Sequence, residues 1–202
     1  GRYPSAIWNL QTETWKELGG RHWKKNREEG ISILLALRPP DYQPKIMIAG
    51  GGTHNVGRSL MTLLHSIGKD SWGSFFSFLT RVEDSVENID LSDSNPRWAL
   101  SGKMHHPRVH ANGVLLPDGN VLVVGGMAMY GHHDVDMHAV VSEAELYDPS
   151  TNTWTRMAAQ QKARVYHSTA ILLPDGRVIS MGSNPASRMI EHSIEIFSPP
   201  YL

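Results

Sequence analysis

A repeat, more than any single motif, limits what this chain can fold into. The run His110-Ala111-Asn112-Gly113-Val114-Leu115-Leu116-Pro117-Asp118-Gly119-Asn120-Val121 returns without a gap, 57 residues later, as His167-Ser168-Thr169-Ala170-Ile171-Leu172-Leu173-Pro174-Asp175-Gly176-Arg177-Val178. Self-similarity on that scale marks a supersecondary unit that is stacked on copies of itself. Each copy spells an apolar run, a Pro-Asp-Gly turn and a second run. Proline presets φ, the aspartate side chain bonds back to the backbone, and glycine accepts positive φ, so each copy reads as a β-hairpin.

The flanks extend the unit. The run after the turn ends in a glycine pair or its near-equivalent: Val124-Gly125-Gly126, Met181-Gly182-Ser183 and, earlier, Ala49-Gly50-Gly51-Gly52. An outer strand and a tryptophan follow, as in Ala144-Glu145-Leu146-Tyr147-Asp148-Pro149 with Trp154, Val86 to Leu91 with Trp98, and Ala6 to Leu10 with Trp15. Four short strands per unit of roughly 50 residues is the pattern of a kelch-type β-propeller blade. Glycines at the strand end let neighbouring blades approach, and the tryptophan is expected to pack between them.

The fold class is therefore all-β, and the 18 Gly and 12 Pro of the 202 residues agree with many tight turns. The chain holds the end of one blade, two full repeats and most of a fourth, about three blades plus the end of another. A propeller closes with about 4 to 8. Residues 1–202 are thus expected to be an incomplete kelch-type β-propeller, a piece of a longer protein. The stretch at about 53–81 breaks the pattern. Leu60, Leu63, Leu64 and Ile67 have helical spacing, Ser71 to Leu79 is aromatic and strand-like, and the whole reads as an insertion between blade strands, either a packed excursion or a loop that shapes a binding surface.

Composition removes several functions. With 19 Lys+Arg against 20 Asp+Glu, net charge −1, no nucleic-acid partner is expected. The absence of cysteine excludes a disulfide, a thiolate metal site and a cysteine nucleophile within these residues. No apolar stretch reaches the roughly 18 to 20 residues of a membrane span, and Gly1-Arg2-Tyr3-Pro4 opens no signal-peptide pattern.

The two hairpin copies differ chemically at one point: Tyr166 stands before His167, and Val109 before His110. A Tyr-His pair near a propeller axis can offer a phenolate oxygen and an imidazole nitrogen to one metal, a donor set suited to Cu(II). A buried tyrosine and histidine with ordinary hydrogen bonds satisfy the same residues. A second group, Tyr130-Gly131-His132-His133-Asp134-Val135-Asp136-Met137-His138, follows the Gly125-Gly126 strand. His132, His133 and His138 could form a substrate-side loop or a second metal site, or simply a solvated loop. His105, His106 and His110 precede a hairpin, with His110 in the place of His167. Arg108 and Arg164 are read either at the propeller mouth or in salt bridges between blades.

The run Arg164-Val165-Tyr166-His167 through Val178, with Gly182-Ser183-Asn184-Pro185 and Ile194-Glu195-Ile196-Phe197-Ser198-Pro199-Pro200-Tyr201-Leu202, closely resembles the galactose oxidase and glyoxal oxidase family of copper radical oxidases. The resemblance continues back through Glu145 to Trp154 and Leu115 to Gly119. It implies a kelch propeller with one copper on its axis, Tyr166 and His167 as two metal ligands, and Tyr166 as the general base that takes the substrate proton. It implies oxidation of a primary alcohol or an aldehyde, with O2 reduced to H2O2. The family's radical Cys-Tyr lies upstream of the matched part and a further His ligand lies in a C-terminal β domain beyond Leu202. The 202 residues alone are therefore expected to be inactive. Partners implied are a small alcohol or aldehyde, or a carbohydrate, together with the rest of the propeller and that β domain. Location outside the cell is expected from the resemblance. The alternative from another class is a non-catalytic kelch propeller that binds carbohydrate or protein.

Overall fold

The computed structural model describes residues 5–18, 27–54, 80–129, 137–184 and 190–202. Fifteen β-strands and a single 3-10 turn at Met137–Ala139 make up its regular structure. Every strand pairing is antiparallel. The all-β expectation holds, and the strands fall into successive small sheets.

A two-stranded hairpin of β1 (Ala6–Asn9) and β2 (Thr14–Glu17) comes first. The next sheet has four strands in chain order, β3 (Ile31–Leu34), β4 (Lys45–Ala49), β7 (Ser85–Asp90) and β8 (Ala99–Lys103); between β4 and β7 a side hairpin pairs β5 (Gly52–His54) with β6 (Thr80–Val82). A second four-stranded sheet contains β9 (Asn112–Leu115), β10 (Val121–Val124), β11 (Glu143–Asp148) and β12 (Thr153–Ala159). The last has β13 (Thr169–Leu172), β14 (Val178–Met181) and β15 (Ile194–Phe197). These are the end of one blade, two complete blades and three strands of a fourth, the order in which the repeat counts them. The leading hairpin is thus followed by a first, a second and a third blade. The helical and aromatic patterns of Leu60 to Leu79 lie outside the described residues.

Both Pro-Asp-Gly turns fold alike. Leu116 N donates to Asn120 O (2.8 Å) and Gly119 N to Leu116 O (2.9 Å), while Leu173 N donates to Arg177 O (2.8 Å) and Gly176 N to Leu173 O (3.0 Å). Gly119 and Gly176 each have φ of 87°, the left-handed position such a hairpin requires. Each aspartate then caps its own turn, Asp118 Oδ1 accepting from Asn120 N and Asp175 Oδ1 from Arg177 N. β3 lacks this signal, because Arg38-Pro39-Pro40-Asp41 replaces the short turn. The strand was invisible to the turn rule for that reason.

The core lies between blades. Ile31, Met47, Ala49 and Val86 of the first blade pack with Val121, Val123 and Tyr147 of the second. On the opposite face of the same sheet, Val114, Leu122, Val124 and Ala144 meet Val178 of the third. β10 is therefore buried along its whole length, whereas β12, the outermost strand of its blade, is largely exposed. Burying each of the valine, leucine, isoleucine and methionine side chains here is worth about 1.5–3 kcal/mol. Trp154 stacks on Tyr147 at 4.9 Å and joins the first of these clusters, as expected for a tryptophan between blades. Trp15 is instead 68% exposed and leans on Trp8, 5.0 Å away, in the leading hairpin. Among the described residues, no helix is long and apolar enough to cross a membrane.

Glycine sets the blade spacing at Gly125. Its φ is 68°, and a Cβ there would stand 2.3 Å from the carbonyl oxygen of Arg164 in the next blade. Gly50 repeats this geometry, its missing Cβ 2.5 Å from the Arg108 oxygen. The close approach that the glycine pairs imply is thus realised at two interfaces.

Candidate functional site

Three arginines frame the inner ends of the three blades. Arg27 pairs with Glu87 (2.8 Å), Arg108 with Glu145 (2.7 Å) and Arg164 with Glu195 (3.1 Å). Each also donates through Nη1 to the carbonyl of the blade's glycine, Gly50, Gly125 or Gly182. Arg108 and Arg164 are each 1% exposed. The expectation that they face an open mouth therefore gives way to the ion-pair reading, with one change. Each side chain is sealed within its own blade, and it is the backbone that crosses, Gly51 N donating to Arg108 O and Gly126 N to Arg164 O, both at 2.7 Å. Burial pushes the Arg108 guanidinium below its usual value, against the opposing pull of Glu145 and Glu143.

A short link joins each arginine to its hairpin, and here the blades part company. Glu29, His110 and His167 all adopt left-handed backbone, with φ of 56°, 58° and 63°. They hold one hinge position in three blades. Counting from the arginine, the link reaches that hinge in two residues in the first and second blades (Arg27 to Glu29, Arg108 to His110) but in three in the third (Arg164 to His167). Val165 is consequently the counterpart of Val109, both fully buried in one cluster with Met127 and Ala139. Tyr166 is an added residue. The hairpins repeat at 57 residues, which sets Val109 against Tyr166, whereas the links repeat from their arginines, which sets Val109 against Val165.

The hydrogen bonds record how the extra residue is absorbed. Glu28 exchanges two backbone bonds with Gly52 (2.9 Å each), and Val109 exchanges two with Met127 (3.0 Å each). In the third blade Val165 N donates to Ser183 Oγ (3.0 Å), and Asn184 N donates to Tyr166 O (2.7 Å). The pairing slides forward by one residue. Tyr166 is left half-buried with its ring stacked on that of His167, centroids 3.7 Å apart and planes 28° from parallel. His167 itself is exposed. From the second blade, the nearly buried His110 ring meets Tyr166 at 5.2 Å and 68°. Glu29 of the first blade stands behind it, Oε2 3.3 Å from His110 Nδ1, while His110 N donates to Glu29 O (3.0 Å). Glu29, His110, Tyr166 and His167 thus form one run of side chains across three blades. Glu29 was not a sequence candidate. Its signal, the second position after a blade arginine, emerges only when the repeat is extended to Arg27.

The remaining candidates lie elsewhere. His106 Nε2 sits 2.7 Å from Glu143 Oε2, a contact that, with Arg156 nearby, holds the Glu143 carboxyl below the usual range. His105 N and His106 N donate to the Glu145 carboxylate, so this pair finishes the buried arginine site. His138 lies exposed on the 3-10 turn, and His132 and His133 fall outside the described residues. Among the described residues, no group of three or more His, Asp or Glu is arranged to hold a metal. Tyr166 and His167 supply one phenol oxygen and one imidazole on stacked rings, a donor chemistry that fits part of a copper shell.

Blades of this build, with glycine-sealed interfaces and a recurring arginine-glutamate pair, define a kelch-type β-propeller. Residues 13–201 match the family model described as "Glyoxal oxidase N-terminus", and the chain belongs to the glyoxal oxidase family. It is 31% identical over 205 residues to a WSC domain-containing protein of Arthroderma benhamiae, covering 96% of this chain and 19% of that protein. It is 32% identical over 186 residues to the aldehyde oxidase GLOX of Vitis pseudoreticulata, covering 86% of this chain and 32% of that one. A solved fungal alcohol oxidase of the AA5 family, in complex with copper, superposes with a TM-score of 0.71 at 23% identity, over 94% of this chain and 34% of its own. The chain thus spans about a third or less of these proteins' lengths.

Proposed function

We propose that this chain is part of a copper radical oxidase-like protein that oxidises a primary alcohol to the aldehyde, or a hydrated aldehyde to the acid, while O2 is reduced to H2O2. The observation that carries the reading is the added residue, which brings a tyrosine phenol onto a histidine ring at one blade hinge and at neither of the other two. When bound, copper supplies the one-electron chemistry that O2 reduction needs. His167 would hold the metal through its imidazole and Tyr166 through its deprotonated phenolate oxygen, which would take up the proton of the substrate hydroxyl. Two donors do not complete a copper shell, so the 202 residues alone are proposed to be inactive until upstream blades and a following β domain contribute theirs.

On the same reading, residues 1–202 are part of a single propeller domain, with the stretch at about 53–81 an insertion between β4 and β7. The antiparallel pairing of Gly52 with Val82 at its base supports this. The loop with His132, His133 and His138 is proposed to border the substrate entrance. Secretion belongs to the proposal as well, through the resemblance to copper radical oxidases. The test is copper binding by the full-length gene product, with optical spectra after oxidation and peroxide assays on simple alcohols and aldehydes. One copper per chain, lost in the double variant Tyr166→Phe/His167→Ala, with peroxide release, is the expected result. A folded product without copper would instead leave a kelch scaffold for carbohydrate or protein.

A further inference from the structure

A tyrosine added to a hinge has two side-chain torsions free to turn, so stacking on His167 by itself does not fix the ring. The neighbouring blade adds a second ring contact. His110 presents its ring to Tyr166 at 68°, an edge-to-face geometry favoured between aromatic rings. Tyr166 is therefore bracketed by two imidazoles, one stacked on it and one set across it. His110 is itself held twice by Glu29, at the backbone (3.0 Å) and at Nδ1 (3.3 Å), and its side chain is only 3% exposed. Both Glu29 and His110 occupy left-handed backbone, where an ordinary side chain is disfavoured and glycine or asparagine would be easier.

We infer that His110 is a positioning residue for Tyr166, anchored by Glu29, so that the orientation of the third blade's tyrosine is set by the first two blades. The importance of that orientation for copper rests on the function proposed above. The orientation of the ring in the metal-free protein does not.

The experiment uses the full-length gene product with His110→Asn, His110→Phe and Glu29→Gln. Asparagine tolerates the left-handed hinge and removes the ring, whereas phenylalanine keeps a ring there and removes only the side-chain link to Glu29. In the metal-free protein with isotope-labelled tyrosine, the Tyr166 ring resonances, assigned through Tyr166→Phe, carry a ring-current shift from His167. His110→Asn is expected to lose that shift, while His110→Phe, with a ring but no side-chain anchor, and Glu29→Gln, with a weaker anchor, each keep part of it. After copper loading, His110→Asn is expected to lose about 10-fold in copper affinity and most of the phenolate-to-copper absorption, with both partly recovered in His110→Phe. An unchanged Tyr166 shift in folded His110→Asn overturns the inference. Should that variant fail to fold, an unchanged shift in both other variants overturns it equally. A parent protein that takes no copper but shows the expected ring shifts removes the proposed function and leaves the positioning role standing.

Discussion

In the second blade the chain passes from Arg108 to its hinge histidine in two residues, and in the third it takes three from Arg164. The framework around those links recurs. The arginine seals its glutamate, its Nη1 meets the glycine carbonyl, its own carbonyl accepts from the preceding blade, and the hinge keeps a φ near 60°. The links differ in length by a single residue, and that residue is one of the two candidate ligands. Framework and chemistry are separable here, because the ion pair and the hairpin fix the two ends of the link while its interior is free to lengthen.

Attacking the shared framework is expected to have the largest effect. Arg108→Ala leaves Glu145 buried without its cation, which costs roughly 3–5 kcal/mol in chemical denaturation. Arg164→Ala should cost less, about 1–3 kcal/mol, because the Glu195 side chain retains 23% exposure and can be hydrated. Equal losses would mean that the two anchors are not distinguished by burial. Gly125→Ala comes next. It places a Cβ against the Arg164 carbonyl at a positive φ, for about 2 kcal/mol or more in the same assay, and a neutral result would deny that this glycine sets the blade spacing.

Deletion of Tyr166 sharpens the comparison most directly. It gives the third blade the two-residue link of the second, so the fold is expected to survive with a change of about 1 kcal/mol, while copper uptake by the full-length protein is lost. Retained copper would dismiss the added residue as a ligand. The smallest effect concerns Glu143, whose carboxyl is held low first by the His106 hydrogen bond. A depressed carboxyl stabilises the fold above its unfolded pKa and loses that contribution as pH falls through the folded value. The denaturation midpoints of parent and Glu143→Gln should accordingly differ slightly near neutrality and begin to converge only as pH falls below the ordinary glutamate value of about 4.3; a pH-independent gap counts against it.

The sequence shows what is local. Pro117-Asp118-Gly119 and Pro174-Asp175-Gly176 announce their hairpins because each turn carries its own hydrogen bonds, and Gly125 announces a close approach because a Cβ would not fit. The Arg-Glu pairs are less legible, since Arg27 and Glu87 are 60 residues apart and nothing near either one points to the other. The added tyrosine was misplaced for a subtler reason: hairpins are aligned by their turns, links by their arginines, and the two alignments disagree by one residue in the third blade. Tyr166 and His167 could be named from the sequence as a pair, but their stacking, and the approach of His110 and Glu29, depend on three blades meeting.

The anchored link also has an engineering consequence. With its ends pinned, the segment between arginine and hairpin acts as an exchangeable cassette whose contents can change without resetting strand register. Replacing Val109-His110 by a Val-Tyr-His sequence would install a second aromatic pair one blade further round the axis. The same insertion inside β9 or β10 would instead turn every side chain beyond it onto the opposite face of the sheet.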